Sequence, residues 1–413
     1  MMKLSKKSIK YSIRSSSKDT SKKKSIINKS NSDSNRDVLI LIKKLFQVKQ
    51  KNFSELVDVL KTIYNSLHVS DSHFSHLQNI SIPLNKSGRS GSFIGLLKND
   101  QTSVKVKVIK FYEGKMNVST GIKHDQCIKI SNKFNEMLIN LIIPNLDKIM
   151  FITADESKLI KTHTLRLYEY GISSIGTFIT MPMIGIKYNS KLITNIRELL
   201  DENHTSLLKK AIEENNLDIL SEYDKFITEK ITRYFEVLRI LQKYLNYINS
   251  DVKLTNVFIR ETTGSNNNKK LKEYGFITNF DLILSDLEKS SIYINDMKIT
   301  TIPNSKLKYL LYDLIGQGLI IDVRYGCDIK LSKCSKINIM DFDLLSLIID
   351  LLVQFILIKN DIMNYFKGLS LYFSNQIGSN QFDKLHNILK DGKYEINKNY
   401  LYHITNIAKK LCN

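Results

Sequence analysis

One short run of residues concentrates groups that could do chemistry. In YINSDVKLTNVFI, residues 247–259, Asp251, Lys253 and Asn256 fall within six positions of one another. A carboxylate can accept or orient a proton. An ammonium two residues on can face a transferring anion, and an amide oxygen is a hard donor of the kind Mg²⁺ takes. Further along, the apolar run in FDLILSDLEKS, residues 280–290, ends in a second carboxylate, Asp286. Taken alone, the first segment also fits a surface loop between a helix and a strand, and the second a carboxylate at a strand end.

The chain order of these segments resembles that of the protein kinase superfamily. Its catalytic loop holds Asp, Lys and Asn at the relative positions of Asp251, Lys253 and Asn256. Its metal-binding Asp follows a strand, as Asp286 does; Leu287 and Glu288 stand where Phe and Gly are usual. The resemblance implies phosphoryl transfer from ATP: Asp251 as catalytic base, Lys253 on the transferring group, and Asn256 and Asp286 on Mg²⁺ or Mn²⁺. In INIMDFDLLSLIIDLLVQF, residues 337–355, Asp343 and Ser346 match the start of a buried helix whose Asp holds the catalytic-loop backbone in that family; Ile348 replaces its Gly.

Upstream, LNKSGRSGSFIGLL, residues 84–97, resembles a glycine-rich loop over nucleotide phosphates. Gly88 and Gly91 would let backbone N–H groups approach the phosphates, Phe93 would stand at the loop tip and Leu96 under the adenine. A Gly-Ser hairpin accounts for the same residues. The alternating run SVKVKVIKF offers Lys107 and Lys110 as the ATP lysine. Lys110 is preferred, because Val104, Val106 and Val108 then share its strand face and the adenine side carries no charge. Glu136 is the one acid of KFNEMLINLIIPNL, residues 133–146, and the resemblance pairs it with that lysine.

These motifs need elements to position them. The implied fold class is α+β: a two-lobed kinase-like fold with a small antiparallel β-sheet lobe and a larger, mainly helical lobe. Residues 1–37 read as a disordered basic Ser/Lys tail. Residues 38–79 read as a helical N-terminal extension with apolar residues at helical spacing. The smaller lobe would cover 80–182 and the larger 183–413, with polar insertions at 190–228 and 260–275. A long amphipathic helix is expected from about Lys225 to Tyr247.

Composition narrows the alternatives. Lys and Arg number 61 against 41 Asp and Glu, a net charge of +20. That balance admits nucleic acid, but no zinc spacing or aromatic-basic motif accompanies it, and a solvated surface accounts for it. The four cysteines form no C-x-x-C pair, so a structural zinc site is not expected and free thiols are. No stretch reads as a membrane span or signal peptide, which implies a cytoplasmic protein. Divergent kinases of large DNA viruses, of poxvirus and mimivirus type, look similar, and such a source would place the protein in host cytoplasm or virion. The implied partners are ATP and protein Ser/Thr substrates. Two other readings stand beside this one: a pseudokinase scaffold that binds nucleotide without turnover, motivated by Arg89 and Ile94 where the glycine-rich loop of the family has glycines and by Leu287 and Glu288, and a basic nucleic-acid-binding protein. A small-molecule phosphotransferase is a variant of the first. Asn249 and Ser250 replace the usual His and Arg before Asp251, so activation through a phosphorylated loop is not expected.

Overall fold

The computed structural model describes residues 37–48, 53–70, 82–85, 92–99, 102–110, 134, 136–167, 169–172, 176–182, 184–249, 252–263, 268–287, 290–294, 297–300, 310–313, 320–325, 342–391 and 407. They form a mixed α/β protein, mostly helical, with small antiparallel sheets. The expected basic tail lies outside these residues except for Asp37, which opens a helix.

Two helices come first, α1 (37–47) and α2 (Phe53–Ser66). Val38, Ile42 and Leu45 on α1, and Leu56, Val59, Leu60 and Ile63 on α2, are buried at the three- and four-residue spacing of one helical face. A five-stranded antiparallel sheet follows: β1 (Ile82–Asn85), β2 (Ser92–Asn99), β3 (Thr102–Lys110), β4 (Glu169–Ile172) and β5 (Gly176–Pro182), in the order β1-β2-β3-β5-β4. The first helices are tied to it. Val69 N–H donates to the Ile172 carbonyl at 2.7 Å, and Ile172 N–H to the Leu67 carbonyl at 2.9 Å.

Between β3 and β4 lie α3 (136–142) and α4 (Ala154–His163). Phe134, Met137, Leu138, Ile139, Leu141 and Ile142 are all buried, so α3 is enclosed on every side rather than on one stripe. Tyr64 of α2 meets Phe134 edge-on, with ring centroids 5.6 Å apart. Helix α4 begins in a capping box between Thr153 and Glu156.

After the short hairpin β6 (Ile186–Tyr188) and β7 (Lys191–Ile193), α5 covers 196–213 and α6 covers Leu217–Leu245. The long helix thus begins before Lys225. Asn216 caps it by accepting from Ile219 N–H at 3.2 Å, and Ile219, Leu220 and Tyr223 extend its apolar stripe toward the N-terminus. Strands β8 (Ile248–Asn249), β9 (Val257–Glu261), β10 (Phe280–Leu284) and β11 (Ser290–Ile294) come next, with α7 (Lys269–Tyr274) between β9 and β10. Part of the polar segment 260–275 is therefore helical rather than loop. Strands β12 (Met297–Thr300), β13 (Leu310–Asp313) and β14 (Ile320–Tyr325) join β11 and β8 in the order β13-β14-β12-β11-β8. The described chain closes with α8 (Phe342–Ile358), α9 (Lys367–Ile377) and α10 (Ser379–Asp391). Among the described residues no helix is long and apolar enough to cross a membrane.

Buried polar side chains fasten these pieces. Asp224 of α6 accepts from Gly368 N–H at 2.7 Å and Leu369 N–H at 2.9 Å, satisfying the free donors at the start of α9. A Cβ at residue 368 would lie 3.0 Å from that carboxylate, so glycine allows the approach. In α5 a π-helical turn at Leu200–His204 turns Asn203 and His204 inward. Asn203 Oδ1 accepts from Ile277 N–H at 3.0 Å. His204 Nε2–H donates to the Ile277 carbonyl at 2.9 Å, which leaves Nδ1 to accept from the Tyr223 hydroxyl at 3.0 Å.

Burial pushes the His204 imidazole down to about 4. In the unfolded chain it takes a proton near the ordinary histidine value of about 6.5. Folded stability is therefore lost as pH falls from about 6.5 toward about 4, because the unfolded state binds the extra proton. Comparing wild type with His204→Gln by denaturant unfolding at pH 7 and pH 5 checks this. The wild type should lose about 2 kcal/mol more over that interval.

Candidate functional site

Register brings two of the expected metal ligands together. Strands β9 and β10 pair antiparallel from Glu261↔Phe280 to Val257↔Leu284. The residues just beyond the last pair, Asn256 on one strand and Ser285 on the other, leave the ribbon at the same end, and Asp286 is the next residue. Val257, Ile259, Leu282, Ile283 and Leu284 are buried, so a one-residue slip would expose a core face and shift Asn256 relative to Asp286. Asn256 ends a 3₁₀ turn, Leu254–Asn256, in which its N–H donates to the Lys253 carbonyl at 2.8 Å. It is itself almost fully buried. Asp286 sits at φ +54°, in the left-handed region that Asp tolerates better than most residues. Such conformations collect where structure serves a site.

A second ladder frames the same place. Strand β8 pairs with β11 through Asn249↔Ser290 and Ile248↔Ser291. Residues 250–256 and 285–289 are thus two connections between the same two ladders. One carries Lys253 and Asn256, the other Asp286. Asp251 lies outside the described residues, between Asn249 and Val252. The buried Tyr247 hydroxyl meets Ser290 Oγ at 3.0 Å and fixes the β8–β11 contact from the interior.

The first connection rests on α8. Asp343 Oδ2 accepts from Asn249 N–H at 2.6 Å. Ser346 Oγ donates to the Val252 carbonyl at 2.8 Å. Asp350 Oδ2 accepts from Leu254 N–H at 2.7 Å. The structure thus shows the backbone contact expected of Asp343 and adds a further one from Asp350. Its signal in the sequence was the spacing 343, 346, 350, one face of a helix. All three side chains are buried. Burial drives the Asp343 carboxyl well above the ordinary range, against the opposing effect of its bond to Asn249. Burial also raises Asp350, to about 6, although Leu254 N–H, Arg197 and Lys253 favour its charged form.

The nucleotide-side candidates are spread along the first sheet and α3. Gly88 and Gly91 lie outside the described residues. Phe93 and Leu96 stand in β2, paired with Val108 and Lys105 of β3. Lys107 pairs with Ile94 and Ile179, and Lys110 ends β3 opposite Gly176. Glu136 is 3% exposed, so its carboxylate is enclosed rather than on a solvated helix face. A carboxylate that deep is tolerated only when paired.

Other polar contacts stiffen the outer side of the ribbon. His163 of α4 donates from Nδ1 to the Leu282 carbonyl at 2.6 Å, and Arg260 of β9 bonds the Thr162 carbonyl. Lys230 of α6 pairs with Asp281 at 3.3 Å, both largely buried. Among the described residues no cluster of three or more His, Cys, Asp or Glu side chains is placed to hold a metal ion.

Asp343→Ala should leave the buried Asn249 N–H unpaired. We expect unfolding free energy to fall by about 1–3 kcal/mol. Amide exchange should rise first in 248–249 and 290–291, which hydrogen-exchange mass spectrometry can localise.

No family model matches the sequence, and no curated protein matches it. Among solved structures the chain is similar to one described as the crystal structure of BubR1 kinase domain. That likeness has a TM-score of 0.35 at 12% identity, covering 80% of this chain and 84% of that one.

Proposed function

We propose that the chain is a kinase-like phosphotransferase that moves the γ-phosphate of ATP to a Ser or Thr hydroxyl of a protein. The observation that carries this reading is the register of β9 and β10. It sets an amide oxygen at Asn256 and a carboxylate at Asp286 on one end of a ribbon, beside a loop whose backbone is held by a buried helix.

In this reading the substrate hydroxyl oxygen attacks the γ-phosphorus while the bond to the β–γ bridging oxygen breaks, releasing ADP. Asp251 orients the hydroxyl and takes its proton. Lys253 lies two residues on and faces the transferring group. Lys110, or Lys107 in the other register, holds the nucleotide phosphates, with Glu136 as its partner. Gly88 and Gly91 allow the backbone close to the phosphates, with Phe93 above them and Leu96 under the base.

Asn256 and Asp286 fit Mg²⁺ or Mn²⁺ as hard oxygen donors. Two protein ligands suffice for Mg²⁺, which is commonly held by one or two side chains together with substrate phosphates and water. When bound, the ion neutralises charge on the phosphates. The β9–β10 register and the bond of Leu254 N–H to Asp350 then fix where the donors stand.

Two departures shape the reading. Asn249 replaces the usual His, and its N–H is committed to Asp343. The chain after Asp286 enters β11 and pairs with β8 at once. A segment already paired in this way needs no phosphorylated residue to order it, in keeping with Ser250 where an Arg is usual. Leu287 and Glu288 motivate the pseudokinase alternative, in which nucleotide binds without transfer.

The test is transfer of labelled γ-phosphate from ATP with Mg²⁺ or Mn²⁺ to generic basic and acidic proteins. Wild type should incorporate label, and Asp251→Asn and Asp286→Ala should each lower incorporation about 100-fold or more. Folded wild type that binds ATP without transferring label would establish the scaffold reading instead. Absence of ATP binding would overturn the nucleotide assignment altogether.

A further inference from the structure

The 250–256 connection is held at three places, and the third is unlike the other two. Asp343 fixes Asn249, where the segment leaves β8, and Ser346 fixes Val252. Asp350 fixes Leu254, between Lys253 and Asn256. Contacts 249–343, 252–346 and 254–350 advance together along both chains, so the segment runs along α8 in the same direction as the helix. Asp343 and Asp350 are separated by about 10 Å of helix rise. Ser346 already holds Val252, so the contact to Leu254 is the one that lies within the half of the segment carrying Lys253 and Asn256.

We propose that Asp350 is a positioning residue for Lys253 and Asn256. It holds the Leu254 amide and so sets the start of the 3₁₀ turn that delivers Asn256 to the end of the β9–β10 ribbon. The inference rests on the phosphotransfer reading for its consequence in activity, but the restraint itself is a property of the fold. Asp350 is 4% exposed, and its bond to Leu254 N–H is direct at 2.7 Å. Lys253 is extended, at φ −146° and ψ 161°, and Leu254 opens the 3₁₀ turn. One bond to the Leu254 amide therefore fixes the place where extended chain becomes helical.

Asp350→Asn keeps an acceptor of the same shape, and Asp350→Leu removes it. Hydrogen exchange over 252–258 should quicken at least 10-fold in Asp350→Leu and stay within about 3-fold of wild type in Asp350→Asn. The 217–245 helix should keep its protection in both. In the transfer assay Asp350→Leu should lower kcat at least 10-fold with KM for ATP changed less than about 3-fold, and Asp350→Asn should restore kcat. Leu254→Pro supplies an independent arm. Proline removes the N–H yet suits the first position of the turn, after an extended residue. In that background Asp350→Leu should add less than about 3-fold to the exchange rate. Unchanged exchange at 252–258 in Asp350→Leu, or an effect undiminished by Leu254→Pro, would overturn the proposal. If wild type transfers no phosphate, the phosphotransfer reading fails on its own, and the exchange and double-substitution results still decide the role of Asp350.

Discussion

Everything at the candidate site hangs on carboxylates placed inside apolar packing to catch backbone amides. Helix α8 is apolar nearly all round, and Asp343 and Asp350 interrupt it where a chain passes that offers the Asn249 and Leu254 N–H groups. Burying a carboxyl group is costly, and burying an unpaired amide is costly too; bonded to each other, they offset much of both penalties. Burial raises both carboxyl groups above the ordinary range, so the interior disfavours their charged forms while the amide bonds favour them. Removing either partner strands the other. Hence the chain can pass from strand β8 to the 3₁₀ turn at Leu254–Asn256 with its Asn249 and Leu254 amides satisfied by buried side chains.

The same economy of contacts recurs farther out. Asp224 receives the first amides of α9, and Asn203 and His204 receive the loop around Ile277. In each case a side chain on a long or bent helix stands in for backbone partners that an irregular segment lacks. Helices α1 and α2 work differently: they contribute apolar area and one sheet-edge contact at Ile172, and they help to enclose α3 with Glu136 inside it.

Much of this was legible in the residues. Periodicity located α1 and α2, because one face of each repeats against a core, and the alternating run SVKVKVIKF marked β3. The spacing of Asp251, Lys253 and Asn256 at a helix-to-strand junction, and of Asp286 after an apolar run, marked segments that the register of β9 and β10 and of β8 and β11 brings side by side. Asp350 was not legible as a contact, because its partner lies 96 residues away and a lone acid in an apolar run reads as an interruption. The early start of α6 was hidden for a related reason. Ile219 and Leu220 are interleaved with charged and polar residues, so their stripe shows only once Tyr223 and Phe226 extend it.

The ribbon of β9 and β10 has one further consequence. Its two strands meet Asn256 and Asp286 at one end and are joined through Thr262, α7 and Asn279 at the other. Paired strands pass no change in length from their closed end to their open end. Residues added between Thr263 and Asn268 would therefore leave the spacing of Asn256 and Asp286 fixed.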